Sequence, residues 1–136
     1  MPSVFSKIVS GQITADMVYE DALTMAFLDH APIEEGHTLV IPKQEIARFD
    51  DLPPETLHAL MATCQKVARG VCQALETPHY NLSLNNGAPA GQVVFHVHFH
   101  IIPRHQGQPR TYTRRPVTKP RMAEIAAAIA AAISRD

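Results

Sequence analysis

The chain has no tryptophan, two cysteines and six glycines in 136 residues, and neither sign of charge is in excess. Twelve basic against thirteen acidic side chains leave a formal net charge of −1. That balance gives no electrostatic footprint for a nucleic acid or an anionic membrane surface. No apolar run reaches the roughly 20 residues that a membrane-spanning helix needs. Met1-Pro2-Ser3 does not open a signal peptide, so a cytoplasmic location is expected. Cys64 and Cys72 lie on one predicted helix. Eight residues of helix rise about 12 Å, beyond disulfide reach. They read as free thiols in a reducing compartment, and two alone do not make a zinc site. There is no internal repeat, and the length fits a single domain with a real core.

What the chain does have is histidine, eight in all, three of them in one stretch, Val93-Val94-Phe95-His96-Val97-His98-Phe99-His100-Ile101-Ile102-Pro103. As a strand, its residues separate by parity. Val93, Phe95, Val97, Phe99 and Ile101 form an unbroken apolar face that should lie on the core. Val94, His96, His98, His100 and Ile102 form the other face, with imidazole-bearing Cα atoms about 6.8 Å apart. One histidine on a strand is commonly a satisfied structural residue; three in alternation point to a site.

The remaining elements read as follows. Val4, Phe5, Ile8 and Val9 sit at helical spacing and Gly11 ends the pattern, predicting a short helix over 3–10. Residues 18–20 and 23–28 read as strands joined by a turn at Asp21-Ala22, and 37–41 as a third strand stopped by Pro42. Acids and prolines over 50–55 announce a long amphipathic helix over about 54–76, with Leu57, Leu60, Met61, Cys64, Val67, Ala68, Val71 and Leu75 on its stripe. The apolar face of the histidine strand is its natural partner. Residues 79–84 alternate as another strand, and Asn85 to Gly91 form a loop. Residues 106–119 are polar and irregular; a last helix over about 120–134 carries Ile125, Ile129 and Ile133 among alanines. Short connections favour antiparallel pairing, so the fold class is α+β.

Two chemistries suit alternating histidines. Two imidazoles at i and i+2 can share a zinc ion, with remote residues completing the sphere. Alternatively, a neutral imidazole attacks a phosphorus centre while its neighbours serve the oxygens. The preceding loop, with Asn85, Asn86, Gly87, Gly91 and Gln92, offers backbone N–H groups and amides suited to phosphate, which favours the second reading without closing the first.

Asn85, then Ala90-Gly91-Gln92-Val93-Val94-Phe95 and His96-Val97-His98-Phe99-His100-Ile101-Ile102-Pro103, resembles the signature of the histidine triad (HIT) superfamily. The resemblance extends to residues 4–13, to Phe27-Leu28-Asp29, to 37–43 and to 49–52, covering about 3–104. It implies a HIT-like five-stranded antiparallel sheet crossed by one long helix, with short helices at either end. The whole chain, 1–136, is then one HIT domain with a C-terminal extension from 105. It also implies a homodimer and a purine, AMP-like nucleotide as partner. The implied function is hydrolysis at the α-phosphate of nucleoside phosphoramidates or dinucleoside polyphosphates through a nucleotidyl-histidine intermediate. By position, His98 is the nucleophile, His96 orients it, and His100 and His37 hold phosphate oxygens. Asp29 binds the ribose, and Phe5, Ile8 and Phe27 form the base slot. Asn85, Gln92 and Val93 border the phosphate or leaving group.

Two departures from the family pattern stand out. Many relatives bind a structural zinc at positions that here hold Ser3, Ser6, Glu45 and His96, and serine does not replace thiolate on zinc. No cofactor is therefore expected to be required and no structural zinc is expected, although Mg²⁺ can accompany a polyphosphate substrate. Val93 stands where relatives often carry a hydroxyl. A module that senses nucleotide or binds protein, with little turnover, is the rival reading.

Overall fold

The computed structural model describes residues 2–135. Five strands, β1 (Met17–Glu20), β2 (Thr24–Leu28), β3 (Thr38–Pro42), β4 (His79–Ser83) and β5 (Phe99–Arg104), form one antiparallel sheet in the order β1-β2-β3-β5-β4. Three α-helices accompany it among the described residues: α1 (Val4–Val9), α2 (Pro54–Leu75) and α3 (Lys119–Ser134). The α+β class and the five-stranded antiparallel sheet expected from the sequence are both present.

Strand parity divides the molecule. Ala26 and Leu28 of β2, Val40 of β3, and Phe99 and Ile101 of β5 point to one face, where Leu60, Cys64, Val67 and Val71 of α2 cover them. The apolar side of the histidine stretch thus meets the long helix as its pattern predicts. The stripe of α3 (Met122, Ile125, Ile129 and Ile133) joins the same core rather than standing apart. The two helices approach closely at Gly70, where a Cβ would lie 2.5 Å from Cγ1 of Ile133. Burying this set removes a large apolar area at about 25 cal/mol per Å², the main source of stability.

The opposite face carries Met25, Phe27, Leu39 and Ile41, packed against Phe5 of the short helix α1 and flanked by the partly buried Ile8, Val9, Ala15, Met17 and Val94. Ser3 caps α1 by accepting the Ser6 N–H at 2.9 Å. A six-residue helix has little stability of its own, so α1 is held by its cap and by this contact. The odd-numbered residues just beyond the strand ends, Asp29 after β2 and His37 before β3, sit on this same thinly covered side.

The histidine stretch departs from a continuous strand. β5 begins only at Phe99, and Val93 and Phe95 are 83% and 52% exposed instead of facing the core. Before β5, the Val97 N–H donates to the Ile46 carbonyl (2.7 Å) instead of joining a strand ladder. Gly87 and Gly91, at φ of +88° and +98°, turn the chain around a short 3-10 segment, Ala88–Ala90. The Gln92 side chain is buried inside that turn. Alternation holds from Val97 onward, and His96 and His98 approach the site from an irregular segment. At α2, the acids 50 and 51 lie in a separate 3-10 turn, and the N-cap is Pro53, which offers no side-chain cap.

Candidate active site

The thinly covered face opens into a pocket of about 580 Å³. Phe5, Ile8, Phe27 and Leu39 line its apolar end; Asp29, Asn85, His98, His100 and Arg114 line the polar end, with Val93 and Val94 at the rim. The Phe5 ring stands edge-on to Phe27 (5.5 Å between centroids) and to His98 (4.9 Å), joining the two ends.

Hydrogen bonds assign the proton on each imidazole. The backbone N–H of Ile33 donates to His37 Nδ1 at 3.0 Å, so that nitrogen carries the lone pair. Neutral His37 then carries its proton on Nε2, which donates to His100 Nδ1 at 2.9 Å. His100 must in turn carry its proton on Nε2. One amide thus sets, through two rings, an N–H donor at the pocket end of His100. His98 is set the opposite way. Its Nδ1–H donates to the carbonyl of His96 at 2.8 Å, leaving Nε2 as an unprotonated lone pair with no protein partner among the described residues. His98 and His100 have ring centroids 5.0 Å apart. An unprotonated ring nitrogen and an N–H donor therefore stand side by side.

Charge on these rings is disfavoured. Burial, reinforced by His98, lowers the His100 pKa to about 4, against the pull of Asp29. Burial likewise lowers His37 to about 3, with Asp29 again opposing. His98 and His96 are also lowered, chiefly by burial, against hydrogen bonds to the carbonyls of His96 and Pro42. At neutral pH all four are neutral, the form in which a histidine can attack. Burial pushes Asp29 up, but the Ala31 amide, Arg114 and His37 together hold it below the usual carboxylate range. Its Oδ1 accepts the Ala31 N–H (2.9 Å) and its Oδ2 accepts from Arg114 Nη1 (2.6 Å).

His96 is fully buried and faces away from the pocket. Its Nε2–H donates to the Pro42 carbonyl (2.8 Å), so its Nδ1 accepts the Ser3 hydroxyl proton (2.9 Å). Glu45 Oε1 accepts from the Ser3 N–H and the Ser6 hydroxyl, both at 2.6 Å. Those two hydrogen bonds lower the Glu45 pKa to about 2. Ser3, Ser6, Glu45 and His96 thus meet in space, joined by hydrogen bonds. They ground α1 on the segment that supplies the His98 acceptor.

Most residues singled out from the sequence converge on the pocket: Phe5, Ile8, Phe27, Asp29, Asn85, Val93, His98 and His100 all line it. Gln92 does not. Its Oε1 accepts the Gly87 N–H, and its Nε2 donates to the Ala47 and Val94 carbonyls. With its side-chain polar atoms bonded to Gly87, Ala47 and Val94, it shapes the turn and is absent from the pocket lining. His37 is also closed in and can reach a phosphate only through His100, not directly. His30, His58, His79 and His105 are exposed, as expected of residues outside the motif. Arg104, at the end of β5, is tied to Asn81, Thr111 and Glu34. Burial pushes the Cys64 thiol up to about 12, which makes it inert.

Arg114 escaped sequence reasoning. It lies in the polar stretch after β5 and reaches Asp29 across 85 positions of chain. The only local signal was an excess of arginine over 104–121, which does not say where any one of them lands. Asp29, His37 and His100 are the one group among the described residues whose ligand atoms could gather on a metal, all lying within 4.8 Å of one another. The nitrogens involved are the ones that carry the proton chain.

An antiparallel α+β sheet with a neutral histidine aimed into a half-apolar, half-polar pocket defines a class suited to nucleotides. Residues 10–107 match the HIT domain, and the chain belongs to that family. An uncharacterized HIT-like protein of Methanocaldococcus jannaschii is 47% identical over 104 residues, 76% of this chain and 80% of that one. An adenosine 5'-monophosphoramidase of Schizosaccharomyces pombe is 43% identical over 104 residues, covering 76% and 75%. An adenylylsulfatase of Arabidopsis thaliana is 39% identical over 101 residues, 74% of this chain but 51% of that protein. Among solved structures, a hypothetical histidine triad nucleotide-binding protein of Sulfolobus tokodaii superposes with a TM-score of 0.90 at 31% identity, covering 97% and 92%. A zinc-bound histidine triad protein of Mycobacterium smegmatis superposes at 0.87 with 37% identity, covering 97% and 93%.

Proposed function

We propose that the chain hydrolyses AMP-containing substrates at the α-phosphate through a nucleotidyl-His98 intermediate. The observation that carries this reading is the free lone pair on His98 Nε2, fixed by the Nδ1–H bond to the His96 carbonyl. The adenine-like base enters between Phe5, Ile8 and Phe27, and the ribose hydroxyls turn to Asp29. His98 Nε2 attacks phosphorus as the bond to the leaving group breaks, the leaving group keeping the bonding pair and, when it is an amine, taking a proton from solvent. His100 Nε2–H donates to a non-bridging oxygen as charge builds there. The modified His98 is cationic, and the His96 carbonyl on Nδ1 stabilises that charge. The oxygen of a water molecule then replaces His98 on phosphorus, one water proton passing to solvent, which releases AMP and restores neutral His98. His37 serves by holding the His100 proton on the pocket side.

The named activities of the Schizosaccharomyces and Arabidopsis relatives support AMP as the common half of the substrate. Phosphoramidates and dinucleoside polyphosphates both fit that description. No metal enters this scheme: the Ser3–Ser6–Glu45–His96 cluster offers no thiolate, and its polar atoms already pair with one another. A homodimer fits the exposed apolar residues Tyr80 and Leu82 on the edge strand β4, a surface that pairing of two chains would cover. Assayed on adenosine phosphoramidate, adenylyl sulfate and diadenosine polyphosphates, the wild type is expected to turn over at least one. His98→Ala should abolish that turnover while binding AMP within about tenfold of wild type. AMP binding without turnover of any substrate would favour the sensing module instead.

A further inference from the structure

Arg114 is the only lysine or arginine among the described residues that line the pocket. His98 and His100, which line the pocket with it, are neutral, so its guanidinium is the one lysine or arginine charge there. In the free protein that charge rests on Asp29 Oδ2 (2.6 Å) and on the Ala31 carbonyl (2.5 Å). Both contacts use Nη1. Nε and Nη2 have no protein partner among the described residues, and half the side chain is exposed. The stretch that carries it is docked on the Asp29–His37 loop. The Arg115 N–H donates to the Pro32 carbonyl (2.8 Å), its guanidinium pairs with Glu34 (3.1 Å), and Arg121 pairs with Glu35 (3.0 Å). The Arg114 guanidinium is therefore delivered by an anchored backbone on a side chain free to swing.

We infer that Arg114 is a specificity residue that a ribose displaces from Asp29, freeing its guanidinium to bind an anionic leaving group. This rests on the hydrolase reading above. A ribose hydroxyl donating to Oδ2 meets the Arg114 N–H already there. A guanidinium moved off the carboxylate keeps its fork for the nearest anion. The α-phosphate has the His100 N–H; a second phosphoryl or a sulfuryl group has no other cation to meet. The site thus favours substrates in which AMP is joined to an anionic group over those in which it is joined to a neutral amine. Val93, at the pocket rim, offers no hydroxyl toward an amine leaving group.

The test compares wild type with Arg114→Gln and Arg114→Lys on adenylyl sulfate and adenosine phosphoramidate. The ratio of kcat/KM for the sulfate to that for the amide is expected to fall about ten- to a hundredfold in Arg114→Gln, and less in Arg114→Lys, which keeps the charge but not the fork. Equilibrium binding supplies an arm that does not need turnover. Wild type should bind ADP more tightly than AMP, and Arg114→Gln should lose that preference. Equal losses on both substrates, or an ADP preference that survives the substitution, would overturn the inference. If wild type cleaves neither of these nor a diadenosine polyphosphate, the hydrolase reading falls, while the ADP-to-AMP comparison still decides the role of Arg114.

Discussion

Replacing His37 with phenylalanine tests the proton chain while keeping most of the ring's volume. The substitution deletes two nitrogens. Buried Ile33 N–H loses its acceptor and His100 Nδ1 loses its donor. A buried polar group left without a partner costs about 1–3 kcal/mol, so two such groups predict a loss of about 2–6 kcal/mol in unfolding free energy. The catalytic consequence is separate. Without His37, His100 can place its proton on either nitrogen, and the pocket-side donor is no longer enforced. Weakening one pre-aligned donor, without deleting it, should lower kcat about ten- to a hundredfold, with KM little changed. Urea titration followed by circular dichroism reads the first effect, and steady-state hydrolysis of the best substrate reads the second. A rate near wild type would show that His37 does not set the His100 proton. A rate as low as that of His98→Ala would show that His37 acts on the phosphoryl group directly.

Acid should weaken both folding and activity. His37 and His100 titrate near about 3 and about 4 in the folded chain but near 6.5 when unfolded, so the unfolded state takes up protons first as pH falls. Stability is then intact above about pH 6.5 and drops below it, by about 1.4 kcal/mol per pH unit for each group until the folded pKa is reached. Urea midpoints measured from pH 7.5 to 4.5 should fall monotonically over that window; a flat profile would contradict the buried neutral pair. Because His98 is lowered as well, the acid limb of kcat/KM should lie below pH 6.5. Gly70→Ala should lower the thermal midpoint: overpacking against Ile133, about 1–3 kcal/mol, outweighs the roughly 1 kcal/mol that alanine gains in a helix. Elemental analysis of protein purified without chelator should show no stoichiometric zinc, and EDTA should leave the melting temperature unchanged; a tightly held ion would contradict the metal-free reading.

Strand and helix periodicity made most of the fold legible. The stripe of α2 and the alternation of Val97, Phe99 and Ile101 both proved to face the core between them. The failure at Val93 and Phe95 has a local cause. Periodicity reports side-chain character but not whether a ladder partner exists, and here Gly91 and the buried Gln92 turn the backbone away before pairing begins. The pocket was legible through residues of the family signature, of the short helix α1 and of the strand β2 with the residue that follows it. Arg114 was not, because its contact with Asp29 depends on how an irregular, arginine-rich stretch crosses the surface. The orientation of each imidazole was equally out of reach. It depends on an Ile33 amide and a His96 carbonyl, groups that every residue possesses and that only the fold can aim.

The central claim is that His98 Nε2 forms a bond to the α-phosphorus. Rapid base-quench of the enzyme with a cleavable adenylyl substrate, followed by peptide mass spectrometry under non-acidic conditions, tests it most directly. The account predicts a transient AMP adduct on the peptide containing His98, acid-labile as a phosphorus–nitrogen bond is, and absent from His98→Ala. Turnover with no adduct at any quench time, or an adduct that persists in His98→Ala on another residue, would contradict it.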